Sequence, residues 1–180
     1  MNLPNKLTIF RIILVPVFVI CCYSHNLYFN GCAAVIFVVA SLTDTLDGYI
    51  ARKYNLVTDF GKFLDPLADK ILVTAAIVML VDFGRMPAWI CITILAREFV
   101  VTGLRIVAIQ SGRVIAASKW GKLKTIIQMV GLTIMLLRLP QCIVAGINTD
   151  TVINWAMLIV TVWSGCDYLI KNVDLIRQTK

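Results

Sequence analysis

The chain has almost no histidine and no metal-type arrangement of cysteines. Histidine occurs once among 180 residues, at His25, and the six cysteines show no metal-type spacing. No Ser–His or Cys–His pair supports a covalent enzyme intermediate, and we expect the cysteines to be small buried hydrophobes. Low-complexity linkers and internal repeats are also missing from the sequence. We therefore predict a single membrane domain over residues 1–180.

Apolar residues make up an unusually large share of the sequence. The hydrophobic fraction is 59% and the mean hydropathy is +0.86, whereas soluble domains are about 45–50% apolar. Apolar runs long enough to span a bilayer recur along the whole chain. We predict an all-α, polytopic integral membrane protein built as a six-transmembrane-helix bundle. The expected helices are residues 7–24, 30–52, 61–82, 87–110, 122–139 and 151–171, separated by turn and helix-stop residues.

The net charge of +7 is distributed unevenly between the predicted loops. Most basic residues fall in segments assigned to one side, whereas the opposite loops hold only Arg85 and Arg138. A soluble nucleic-acid binder would not need this alternation, and we predict no nucleic-acid partner. By the positive-inside rule, both termini are expected to be cytoplasmic.

Four aspartates occur at or inside the ends of the second and third apolar segments: Asp44, Asp47, Asp65 and Asp69. A charge there costs roughly 3 kcal/mol or more on insertion, so an intramembrane acid indicates a functional site. Steps of three and four residues keep side chains on one helix face. Two helices joined by a short loop would therefore direct the four carboxylates toward one another. Such a quartet stays ionised only with cations, and divalent metal is the expected cation.

Glycines and an arginine accompany these acids. Gly48 and Gly61 lack a Cβ and allow a bulky ligand to come close, and the guanidinium of Arg52 suits phosphate oxygens. Magnesium is usually bound by one or two carboxylates plus substrate phosphates, and two metals about 3.5–4 Å apart could share the quartet. The pattern predicts a metal–diphosphate site. The alternative, aspartates that cap helix ends beside Lys53 and Lys62, would explain only one or two of the acids.

The aspartate motif resembles the signature of the CDP-alcohol phosphatidyltransferase family at every motif position. It runs Asp44-x2-Asp47-Gly48-x2-Ala51-Arg52-x8-Gly61-x3-Asp65-x3-Asp69. The resemblance implies that Asp44, Asp47 and Asp65 bind divalent metal, Mg²⁺ or Mn²⁺, and that Asp69 is both ligand and general base. It implies a CDP site lined by Asp47, Gly48, Ala51, Arg52 and Gly61. It also implies a six-helix membrane bundle that forms homodimers, with CDP-diacylglycerol as the phosphatidyl donor.

A second group of residues bears on the alcohol that accepts the phosphatidyl group. Arg105, Arg113, Lys122 and Lys124 cluster where the fourth segment ends and the fifth begins. These cations either form a pocket for the phosphate of an anionic acceptor or only set topology and attract anionic lipid. Glu98 either contributes to function or forms an internal ion pair with Arg105, seven residues away.

Three runs around this cluster resemble the glycerol-phosphate branch of the family. They are Ala116-Ala117-Ser118-x2-Gly121-Lys122-x-Lys124-Thr125-x2-Gln128, Ala96-Arg97-Glu98 with Thr102-Gly103-Leu104-Arg105, and Asn5-x-Leu7-Thr8-x2-Arg11. The resemblance implies glycerol 3-phosphate as the acceptor, in a bacterial inner membrane. The positive-inside rule places the aspartate motif, and with it the expected active site, at the cytoplasmic face. Three alternatives remain: a family member using inositol phosphate or a phospholipid, an intramembrane prenyltransferase, and a cation transporter.

Overall fold

The computed structural model describes residues 3–24, 31–43, 59–110, 118–137, 143–144 and 147–173. Within these residues it contains six helices: α1 Leu3–Tyr23, α2 Gly31–Thr43, α3 Asp59–Asp82, α4 Ala88–Gln110, α5 Lys119–Leu136 and α6 Thr149–Lys171. The prediction of a helical fold is confirmed for this part of the chain, and each helix overlaps a predicted segment. A short antiparallel pair, β1 Ile143–Val144 and β2 Ile147–Asn148, precedes α6.

Local chemistry explains where two of the helices begin or end. Ser118 Oγ accepts a hydrogen bond from the backbone N–H of Gly121 at 3.1 Å. This N-cap stabilises the first turn of α5, which begins three residues before the predicted position 122. At the end of α3, Gly84 adopts a φ of 66°, which a glycine reaches without the steric penalty of a Cβ.

The chain folds into two compact units. Unit 1 comprises Met1–Phe83 and Thr133–Leu139, and unit 2 comprises Gly84–Leu132 and Pro140–Lys180. In unit 1, α1 packs against α3. The ring of Phe18 on α1 lies 6.3 Å from that of Phe37 on α2, and both side chains are fully buried. A single domain for the whole chain stays a prediction.

In unit 2, α4 packs against α6, and α5 approaches α6 closely at a glycine. A Cβ built on Gly131 would lie 2.8 Å from Ile153 Cγ2 and 3.2 Å from Met157 Sδ. The absence of a side chain at this position therefore allows the two helices to come together. The rings of Trp89 and Trp155 meet edge to face at a centroid distance of 5.9 Å, a favoured aromatic geometry.

Several polar side chains are buried together with the apolar core, whereas many large apolar side chains are exposed. Several polar side chains are at most 3% exposed: Arg11, Gln128, Thr161 and Ser164. Large apolar side chains on α1, α4, α5 and α6 are more than 60% exposed: Ile20, Ile92, Phe99, Ile126 and Ile170. Soluble monomers rarely expose so much apolar surface. The pattern is the one expected of helices whose outer faces contact lipid tails.

Among the described residues, α6 is the one helix both long and apolar enough to cross a membrane. Two shorter apolar stretches, Leu7–Tyr23 and Gly31–Thr43, lie in α1 and α2. The 23-residue helix α4 is as long as α6 but contains the charged side chains Arg97, Glu98 and Arg105. The count of six spans and the cytoplasmic position of both termini stay predictions.

Candidate functional site

The structure places the second half of the aspartate motif on α3. Asp65 and Asp69 lie four residues apart in this helix, and Gly61 lies four residues before Asp65. Because an α-helix has 3.6 residues per turn, the three positions follow one face of α3. The other predicted motif residues fall in the stretch 44–58, outside the described residues: Asp44, Asp47, Gly48, Ala51 and Arg52.

The spacing of the aspartate motif requires helices, and the structure contains a helix on each side of residues 44–58. α2 is helical up to Thr43, directly before the motif, and α3 begins at Asp59. The hydroxyl of Thr43 donates to Val39 O at 2.6 Å, and that of Ser41 donates to Phe37 O at 2.7 Å. Hydroxyl groups that bond one turn back along their own helix are satisfied locally. The described part of α2 is therefore helical up to Thr43, the residue before the first motif position.

The chemistry of the donor set fits a divalent cation. The two predicted ligands on α3, Asp65 and Asp69, are carboxylates, the hard donor type that Mg²⁺ and Mn²⁺ prefer, and their positions are one helical turn apart. Within the residues that the structure describes, no group of three or more acids, histidines or cysteines could hold a metal ion. The predicted quartet would be completed by Asp44 and Asp47, which lie outside those residues.

The predicted acceptor cluster is described at three of its four positions. Arg105 on α4 and Lys122 on α5 are exposed, whereas Lys124 is buried on α5. The guanidinium carbon of Arg105 lies 5.9 Å from the centroid of the Tyr168 ring on α6, which is a cation–π contact. Arg113 lies outside the described residues. Of the three cations described, only Lys124 is drawn into the interior of unit 2.

Lys124 belongs to an ionic network between α4 and α5. Its Nζ donates to Glu98 Oε1 at 2.5 Å, and Arg97 Nη1 donates to the same oxygen at 3.0 Å. One carboxylate oxygen therefore accepts hydrogen bonds from two cations. Glu98 does form an internal ion pair, as one interpretation of the sequence predicted, but the expected partner was wrong. Arg105 is seven residues away on α4 and contacts Tyr168 instead, while the partners of Glu98 are Lys124 and Arg97.

Helix α6 contacts the other side of Arg97. Arg97 Nη2 donates to Ser164 Oγ at 2.9 Å, and this hydroxyl donates to Thr161 O at 3.0 Å. A Cβ on Gly165 would lie 3.0 Å from Arg97 Cγ, so the glycine lets the arginine stem pack against α6. Neither Ser164 nor Gly165 was predicted from the sequence. The sequence feature that could have indicated them is a pair of adjacent small residues inside a helix of mostly large apolar residues.

Comparison with known proteins yields a consistent set of relatives. The family model described as CDP-alcohol phosphatidyltransferase matches residues 1–163. A protein of Bacillus subtilis (strain 168) named CDP-diacylglycerol–glycerol-3-phosphate 3-phosphatidyltransferase is 44% identical over 99% of this chain and 98% of its own. A Rickettsia felis protein of the same name is 41% identical over 93% of each chain. A Mycobacterium tuberculosis protein named probable phosphatidylglycerophosphate synthase is 40% identical over 99% of this chain and 86% of its own.

The family model covers all the motif positions from Asp44 to Asp69 as well as the basic cluster from Arg105 to Lys124. The relatives extend the similarity over nearly the whole length of the chain. Together these matches show that the chain belongs to the CDP-alcohol phosphatidyltransferase family.

Proposed function

We propose that this chain transfers the phosphatidyl group of CDP-diacylglycerol to sn-glycerol 3-phosphate, giving phosphatidylglycerophosphate and CMP. The observation that carries the proposal is an identity of 41–44% to proteins named for this reaction, over 93–99% of the chain. Family membership disfavours the prenyltransferase and transporter alternatives. A competition between acceptors distinguishes glycerol 3-phosphate from inositol phosphate or a phospholipid.

The proposed enzyme lies in a bacterial inner membrane as a homodimer of six-helix bundles with cytoplasmic termini. The outward-facing apolar side chains and the buried polar side chains support a lipid environment, and α6 is long enough to span the bilayer. A membrane location also suits the donor, because CDP-diacylglycerol is a lipid. The acceptor is a small anion, so the site is expected at the cytoplasmic face.

The four aspartates form the proposed reaction centre. CDP-alcohol phosphatidyltransferases generally use a divalent metal. In this chain Asp44, Asp47, Asp65 and Asp69 would hold one or two ions of Mg²⁺ or Mn²⁺. Bound metal neutralises the diphosphate of the donor and the charge that develops during transfer. The position of Asp65 and Asp69 on one face of α3 supports their pairing at such a centre.

The remaining motif residues bind the nucleotide part of the donor. Gly48, Ala51 and Gly61 leave room for the CDP group, and Asp47 and Arg52 supply polar contacts to it. Gly61 lies one turn before Asp65 on α3, so the proposed nucleotide and metal sites are adjacent along that helix.

The acceptor supplies the nucleophile, and Asp69 removes its proton. The hydroxyl oxygen of glycerol 3-phosphate attacks the phosphorus on the lipid side of the anhydride. The new P–O bond forms as the bond to CMP breaks, and the Asp69 carboxylate takes the hydroxyl proton. The phosphate of the acceptor is bound by Arg105, Arg113, Lys122 and Lys124. Several cations suit a dianion better than one lysine, which gives only a point charge.

Product analysis of the purified protein tests the proposal. We expect CDP-diacylglycerol, glycerol 3-phosphate and Mg²⁺ to yield CMP together with a lipid of the mass of phosphatidylglycerophosphate. Asp65→Asn is the matched control, because it keeps the size of the side chain and removes one carboxylate charge. CMP release without the lipid product, or an unchanged rate in the Asp65→Asn variant, would contradict the proposal.

A further inference from the structure

We infer that Glu98 is a positioning residue for the acceptor site, because one of its carboxylate oxygens holds both the Lys124 ammonium and the Arg97 guanidinium. The inference rests on the proposed function, in which Lys124 binds the phosphate of the acceptor. It concerns the interior of unit 2, where α4, α5 and α6 meet around these side chains.

The burial of Lys124 requires a local cause. Its side chain is 6% exposed, although a lysine has a long flexible stem that normally extends its ammonium toward water. Lys122, two residues earlier on the same helix, is exposed. Lys124 Nζ contacts Glu98 Oε1 at 2.5 Å, and this contact offsets the cost of burial, because a buried ammonium is costly without an anionic partner.

The guanidinium of Arg97 is held in place by contacts on both α4 and α6. Its guanidinium contacts Glu98 through Nη1 and Ser164 through Nη2, and its stem packs against Gly165. A planar guanidinium held at two points has little freedom to rotate. Glu98 is thus fixed by Arg97 and in turn fixes Lys124. Without the carboxylate, the two neighbouring cations would repel each other, which would disfavour the present position of the Lys124 ammonium.

Kinetics with separate substrates distinguish positioning from a general structural role. We expect Glu98→Gln to raise the KM for glycerol 3-phosphate about tenfold, because a neutral amide oxygen replaces the anionic partner of the Lys124 ammonium. The KM for CDP-diacylglycerol should change less than about twofold. Glu98→Asp keeps the charge on a shorter stem, so we expect an intermediate rise of about threefold. It also provides the test if Glu98→Gln fails to accumulate as folded protein.

A double-mutant cycle shows whether Glu98 acts through Lys124. In a Lys124→Gln background, we expect Glu98→Gln to change the KM for glycerol 3-phosphate by less than about twofold, since coupled residues are non-additive. Independent, multiplicative effects of the two substitutions would overturn the inference.

Asp150→Asn provides a matched control in the same unit. Asp150 is also a buried acid in an ion pair, with Arg85, and has no place in the proposed acceptor site. We expect this variant to lose thermal stability but to keep the wild-type KM for glycerol 3-phosphate. A wild-type enzyme that rejects glycerol 3-phosphate overturns the proposed function and the inference with it. A wild-type enzyme that accepts it, with an unchanged KM in the Glu98 variants, overturns the inference alone.

Discussion

Arg85 and Asp150 form a two-point ion pair within unit 2. Arg85 Nε lies 2.6 Å from Asp150 Oδ2, and Nη2 lies 2.7 Å from Oδ1. Asp150 is in the first turn of α6, where the exposed N–H groups of a helix end favour a negative charge. Asn154, one turn later, donates to Arg85 O at 2.9 Å. The turn before α4 is therefore joined to the start of α6 by three hydrogen bonds.

Removing the carboxylate of this pair is expected to destabilise the protein. Asp150→Asn takes away the negative charge that faces Arg85, and loss of one member of a buried pair costs roughly 3–5 kcal/mol. Thermal unfolding in detergent measures the effect. Lys171→Gln is the matched control, because its ion pair with Asp167 involves a lysine that is 60% exposed and such pairs contribute about 0.5 kcal/mol or less. Equal melting temperatures for the two variants would contradict the prediction.

Substitution of glycine by alanine is expected to affect stability differently at Gly131, where α5 closely approaches α6, and at Gly103 on α4. Gly131→Ala would bring a Cβ within 2.8 Å of Ile153 Cγ2, and overpacking of this kind costs about 1–3 kcal/mol. Gly103 on α4 is exposed, and nothing lies within 4 Å of the position that an alanine methyl group would take there. Gly103→Ala should therefore leave stability unchanged or raise it slightly through helix propensity. A melting temperature for Gly131→Ala at or above wild type would show that the helices adjust freely.

The sequence predicts the helices well because long apolar runs leave little choice of conformation. α4 and α6 begin and end within about two residues of the predicted bounds. The pair β1 and β2 was not predicted, since two-residue strands have no periodicity to detect. α5 starts earlier than predicted because Ser118 caps it, a contribution that hydropathy does not register.

Side-chain partners were predicted less well than the helices that carry them. Helical spacing places Glu98 and Arg105 near the same face of α4, and this allows a pair between them but does not require one. The actual partner Lys124 is on α5, 26 residues away. Contacts between helices depend on how they pack, so neither this pair nor the role of Ser164 follows from spacing along one helix. Family membership was predicted correctly. The aspartate motif is recognised from the spacing of residues along the chain, which does not depend on how the helices pack.

Metal dependence is expected if the four aspartates form the proposed quartet. Chelation with EDTA is expected to abolish CMP release, and Mg²⁺ or Mn²⁺ should restore it, because the quartet needs divalent cations to bind the donor diphosphate. Ca²⁺ serves as a control of similar charge but different size and coordination. Full activity in metal-free buffer would refute the two-metal centre.

Substitution of Asp69 and of Asp44 is expected to impair different steps, turnover in the first case and donor binding in the second. Asp69→Asn removes the proposed base and should lower turnover by roughly 10²-fold or more, with a smaller effect on donor binding. Asp44→Asn removes a proposed metal ligand and should weaken donor binding more strongly. Initial rates at varied CDP-diacylglycerol and a direct donor-binding assay separate the two effects. A near wild-type turnover for Asp69→Asn would assign the base to another residue.

A competition between acceptors tests the central claim most directly. Purified wild-type protein receives CDP-diacylglycerol and Mg²⁺ with glycerol 3-phosphate, inositol phosphate, serine or phosphatidylglycerol, singly and in pairs. CMP release gives kcat/KM for each acceptor, and mass spectrometry identifies the lipid product. The proposed function predicts that glycerol 3-phosphate has the highest kcat/KM and yields phosphatidylglycerophosphate. A higher kcat/KM for any of the other three acceptors would contradict it.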